Sequence, residues 1–178
     1  MEAAKIVLFA TAAAICFGIL HDQVTAHLCV EYFTIAHPPI FPTQSPFWLA
    51  IGWGIIATWW VGLPLGIALA LAARVGDMPR LGVRELRRPV LLMLLGCATV
   101  AFVSGIVGAS LLAAGWIWLL PPLSELIPPN RQIVFMADAW AHGASYVAGL
   151  LGGLAVICHS ILRRLRLAKE DVARARPD

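Results

Sequence analysis

Four apolar blocks alternate with short polar segments along the chain, and their lengths predict four membrane-crossing helices. The first runs from Ile6 to Leu20 between Lys5 and the polar run His21, Asp22, Gln23. At 1.5 Å per residue it makes about 22 Å of helix, so residues on either side are needed to approach a hydrocarbon core of roughly 30 Å, and the predicted span is 4–22. Phe47 to Ala73 is the clearest span (47–73), long enough to cross with tilt or with a kink at Pro64. Val90 to Leu120 is longer than one straight crossing requires, so the predicted span is 90–115, with Trp116 and the residues after it at the interface before Pro121 and Pro122. Ala139 to Leu162 supplies the fourth (139–162) and stops at Arg163, Arg164 and Arg166.

The polar segments set an orientation. The loop 74–89 carries Arg74, Arg80, Arg84, Arg87 and Arg88, the tail 163–178 is also basic, and Lys5 lies at the start. The two alternate segments, His21 to Pro46 and Pro121 to Asp138, hold Arg131 alone. By the positive-inside rule, both termini and the basic loop are cytoplasmic and the polar extension after helix 1 faces outward. The expected fold is an all-α integral membrane bundle, one domain over residues 1–178, in a bacterial-type inner membrane. The first block also has the layout of a signal peptide, with Val24 and Ala26 at positions minus three and minus one of a cleavage site.

Composition agrees with a bilayer as the main solvent: 60% of residues are hydrophobic and 13% charged, against about 25% charged in soluble domains. The net charge of +3 does not indicate nucleic acid, because the basic residues cluster in the loop and tail with no aromatic-interleaved basic face. Cys16, Cys97 and Cys158 fall in apolar blocks and read as small packing residues, so no disulfide framework is expected.

Candidate chemistry is concentrated in the first outward segment, HDQVTAHLCVEYFTIAHPP, which holds three of the five histidines. On a helix, Gln23, His27 and Glu31 form one stripe, and His21, Asp22, Thr25 and Cys29 fall on roughly the opposite face. Asp138 and His142 are also four apart, at the start of the fourth block. Imidazoles and carboxylates projecting from two helices are the materials of a bundle-core metal site, and His27, Glu31, Asp138 and His142 are the candidate ligands for a divalent transition metal. The bland reading of these groups is capping and cross-helix hydrogen bonding, with Asp138 as the N-cap of its helix. Arg131, the lone outward cation, is expected to pair with one of the outward acids or to meet an anionic headgroup. A haem sandwich is disfavoured, since His142 and His159 lie about 25 Å apart on one helix.

No phosphate loop, nucleophile elbow, HExxH or paired Cys-x-x-Cys is present. The central parts of the four blocks lack ionisable residues, which argues against a charge-coupled carrier with a midplane site. The leading expectation is therefore a non-enzymatic accessory or scaffold protein whose Gly-rich helices pack with one another, with a membrane-protein partner or with a second copy. The competing expectation is a membrane metal-binding protein or enzyme using the outward His/Asp/Glu cluster, and a small channel or carrier is third.

Overall fold

The computed structural model describes residues 1–174; residues 175–178 of the tail lie outside the described residues. Helix α1 spans Glu2–Leu28 and is followed by the short α2 (Val30–Thr34), then α3 (Pro46–Ile56) and α4 (Trp59–Arg74). Helix α5 (Val83–Ala113), the single turn α6 (Leu123–Leu126), a 3-10 turn (Pro129–Arg131) and α7 (Gln132–Arg174) complete the described residues, which contain no strand. Four units, α1, α3 with α4, α5, and the last turn with α7, are long and apolar enough to cross a membrane. Their polarity is inverted relative to a water-soluble bundle. Leu8, Phe102 and Leu151 are 71%, 70% and 61% exposed, while Asp22, Asp138 and Arg164 are at most 4% exposed.

Three helices differ from their expected spans, and one of them, α5, begins at Val83, inside the expected basic loop 74–89 and seven residues before the expected start at 90. Residues His21 to Leu28, expected in the polar extension, continue α1, and the chain turns only at Cys29, whose backbone (φ −145°, ψ 82°) leaves the helix. Helix α7 begins seven residues before the predicted span, because Gln132 Nε2 donates to the Ser124 and Ile127 carbonyls at 3.1 and 3.2 Å and seats its first turn.

The second span is interrupted at Ala57 and Thr58, whereas Pro64 lies inside the continuous helix α4. Thr58 Oγ1 donates to the Gly54 carbonyl at 2.5 Å in place of a backbone amide. The Ala57 carbonyl, freed by the interruption, accepts from the Tyr146 hydroxyl of α7 at 3.2 Å. Side chains thus supply partners for two carbonyls at the break, those of Gly54 and Ala57.

Packing falls into two pairs. Helix α1 lies along α3 and α4, where Gly54 faces the Ile19 and Gly18 backbone and Gly62 faces Ala14 and Thr11. Helix α5 lies along α7, where Gly105 faces the Ala137 carbonyl and Gly108 the Trp140 side chain. Lipid tails are as apolar as leucine, so such approach gains dispersion and close fit rather than water release.

At the arginine-rich end, Arg164 closes the bundle. Its guanidinium, 1% exposed, donates to the carbonyls of Pro79 (2.9 Å), Ala72 (2.6 Å), Val75 (2.8 Å) and Met78 (3.1 Å). A planar fork of five donors is thereby spent on the orphan carbonyls at the end of α4 and on the loop after it. Replacing Arg164 with Ala is expected to destabilise the protein by about 2–4 kcal/mol, since charged donors contribute about 1.5–3 kcal/mol each before solvent fills part of the gap. Arg163→Ala, which removes one contact of 3.4 Å, should melt close to wild type. Thermal unfolding in detergent checks both, and equal melting of the two variants would refute the Arg164 lock.

Candidate functional site

The end of the bundle opposite Arg164 holds a polar cluster between α1 and α7. Asp22 comes from the penultimate turns of α1, His142 from the third turn of α7, and His142 Nε2 lies 3.2 Å from Asp22 Oδ1. On its other edge, His142 Nδ1 sits 3.0 Å from the Asp138 backbone carbonyl and 2.8 Å from Asp138 Oδ1. Both neighbours of Nδ1 are acceptors, which assigns a proton to that nitrogen. The N–H is aligned with the carbonyl, so the Asp138 carboxylate is a close charge without an aligned donor.

His21 completes the group. Its ring meets His142 edge to face at a centroid distance of 4.6 Å, and it stacks over Phe17 at 5.9 Å. One ligand atom each from His21, Asp22 and His142 all lie within 4.8 Å of one another. Among the described residues, the buried side-chain polar atoms without a hydrogen-bond partner are His21 Nε2 and the two Asp138 carboxylate oxygens. All three belong to this one cluster. Nearby hydroxyls are satisfied: Ser145 donates to the His142 carbonyl at 2.8 Å and Thr25 to the His21 carbonyl at 3.2 Å.

Helix α2 folds back as a cover. Tyr32 stacks on the His142 ring at 4.4 Å, and Phe33 meets it edge on at 5.6 Å. His37, after α2, packs on Trp53 of α3 at 4.6 Å, with its Nδ1 on the Tyr32 carbonyl at 2.9 Å. Burial raises the Tyr32 phenol above its ordinary value, so this ring is a neutral cover.

The four ligands expected from the sequence are divided by the structure. Asp138 and His142 are adjacent, but His27 is exposed, with Nδ1 2.7 Å from the Gln23 carbonyl of its own helix. Glu31 is held by Arg131 through Nε to Oε1 at 2.7 Å and Nη2 to Oε2 at 3.0 Å. The α1 residues that meet His142 of α7 are therefore His21 and Asp22, and the expected His27 and Glu31 stripe does not join the pair on α7. His21 and Asp22 are a polar pair closing an apolar block of the sequence, but periodicity alone does not choose between two polar faces. Cys29, fully buried, has its Sγ 3.4 Å from Glu31 Oε2, and burial pushes the thiol up to about 12, which removes it as a nucleophile.

Arg131 also donates to the Leu28 carbonyl at 2.7 Å, so a single guanidinium ties the end of α1, helix α2 and the start of α7 together. Comparison with protein-family models, with curated proteins and with solved structures found no match.

The Arg131 contact holds the Glu31 carboxyl at about 2, below its ordinary 4.5. A depressed folded-state value means that the unfolded chain binds the proton more readily, so the clamp contributes fully above pH 4.5 and fades as pH falls towards 2. Accordingly, the stability difference between wild type and Glu31→Gln should be constant above about pH 5 and shrink below it. Denaturant titrations across that range test this, and a difference that does not vary with pH would reject the clamp.

Proposed function

We propose that this chain is a multi-pass inner-membrane protein that binds a divalent transition metal between α1 and α7 through His21, Asp22 and His142. The observation that carries this reading is the buried set of partnerless polar atoms, His21 Nε2 and both Asp138 oxygens, gathered around His142. Buried carboxylates and imidazoles without donors are costly in an apolar bundle; a cation held by His21, Asp22 and His142 would give the His21 imidazole a partner and the nearby Asp138 carboxylate a charge to balance.

The donor set supports it chemically. Ligands at about 2.0–2.1 Å from a tetrahedral metal lie about 3.3 Å from one another, and Asp22 Oδ1 and His142 Nε2 are 3.2 Å apart. Nδ1 keeps its proton on the Asp138 carbonyl, and Nε2, which faces Asp22 Oδ1 at 3.2 Å, would give up its proton to take the metal, the arrangement in which a second group orients a ligating histidine. Two imidazoles and one carboxylate suit Zn²⁺ or Fe²⁺ and leave coordination positions for a further ligand.

The basic loop 74–89, Lys5 and the basic tail support a topology with both termini in the cytoplasm, which puts this centre near the outward surface of a bacterial-type inner membrane. A second reading, the accessory or scaffold protein, is favoured by a separate observation. A groove of about 600 Å³ on the outer side of α5 and α7 is bordered by Ser104, Gly143, Ala144 and Ala148, small residues that suit a partner helix.

Metal analysis of detergent-purified protein separates the two. Stoichiometric metal in wild type and His27→Ala, lost in His142→Ala and His21→Ala, is the expected result, and Asp138→Asn should weaken affinity about 10–100-fold. Metal-free wild type that folds normally would end the metal reading and leave the accessory role ahead.

A further inference from the structure

A slot runs from the His/Asp cluster into the bundle, between the α1 and α4 pair and the α5 and α7 pair. Its volume is about 140 Å³, several times the roughly 10–15 Å³ that one water centre needs. Beyond the cluster its walls are apolar: Ala13 and Phe17 of α1, Leu65 of α4, Leu94 of α5 and Gly149 and Val156 of α7. From His142 to Val156 the slot follows α7 for about 21 Å at 1.5 Å per residue, longer than one leaflet of a roughly 30 Å hydrocarbon core. Its width is kept at Gly149, where an added Cβ would meet nothing within 4 Å, unlike Gly153, whose Cβ would press on Leu65.

The polar groups near the upper end do not compete for a ligand. Tyr146, Thr58 and Ser145 each donate to a backbone carbonyl and His37 Nδ1 sits on the Tyr32 carbonyl, so among the lining residues, which also include Cys97, the buried polar atom without a partner is His21 Nε2, at the His21, Asp22 and His142 centre. A narrow apolar channel with a single coordinating end is complementary to a molecule with one long chain and one small oxygen head. Charge selects the head. Asp22 and Asp138 together balance a divalent cation, so an anionic head would bring an uncompensated charge into a low-dielectric site, whereas a hydroxyl or carbonyl oxygen would not.

We infer that the slot binds a single-chain lipid with an uncharged hydroxyl or carbonyl head, its chain lying along Leu65, Leu94 and Gly149 and its oxygen directed at the His21, Asp22 and His142 centre. The head-group assignment rests on the metal reading above; the chain site rests on the slot. Linear and prenyl chains share this chemistry.

The test uses the full-length protein in nanodiscs, a diazirine-bearing hexadecanol, and mass-spectrometric mapping of the crosslinks. Crosslinks are expected on slot residues of α4 and α7, competed by unlabelled hexadecanol or geranylgeraniol, with the stronger competitor identifying the chain type. Gly149→Phe, which fills the slot, should cut slot labelling about tenfold while keeping its metal. Slot labelling unchanged in a metal-replete Gly149→Phe, or labelling confined to lipid-facing residues such as Leu151, would overturn the chain site while leaving the metal reading standing. Equal competition by palmitate would overturn the neutral head. A metal-free wild type that still labels in the slot would strike the metal reading and its head-group assignment while leaving the chain site in place.

Discussion

One imidazole held between two carboxylates sets the architecture of this protein. His142 reaches Asp22 of α1 with one nitrogen and Asp138 of its own helix with the other. These are the groups least at ease in an apolar bundle, and they can be buried only together. Their meeting draws the end of α1 against the start of α7, which are otherwise members of different helix pairs. The cover built by Tyr32 and Phe33, and the Arg131 clamp that holds α2 in place, follow from that join. So does the slot, because helices brought together by a polar contact at one end need not be in close contact below it.

The opposite end is organised by a different economy of polar groups. Among the described residues Arg164 pairs with no carboxylate, and it spends its donors on four carbonyls of the 72–79 segment. Glu2 and Glu85 also act locally: Glu85 accepts from the Gly82 amide at 2.8 Å, and Glu2 accepts from the Val83 amide at 3.4 Å, tying the first turns of α1 and α5. Between the two ends, contact is made by Gly18, Gly54, Gly62, Gly105 and Gly108 against backbone and small or flat side chains. Polar chemistry at the ends and small residues in the middle are two solutions to a setting in which water release does not drive helices together.

The four long apolar helices were legible because block length is a one-dimensional signal. The cluster was legible in part. Asp138 and His142 could be named from their spacing on one helix, but their partners could not, since α1 carries two polar stripes and the contact with α7 decides which is buried. The stripe of Gln23, His27 and Glu31 turned out to serve the surface and the Arg131 clamp, and that clamp joins residues 100 apart. The interruption at Ala57 and Thr58 was hidden for the same reason. Pro64 is the louder local signal, yet it is Thr58 and the distant Tyr146 that accommodate a broken helix.

Helix α7 is an unbroken run of 43 residues. It carries His142 near one end and Arg164 near the other, about 33 Å away at 1.5 Å per residue. Such a rod transmits torque. A twist that swung the imidazole away from Asp22 would also turn the guanidinium against its four carbonyls, so one continuous helix carries the polar anchors of both ends of the bundle.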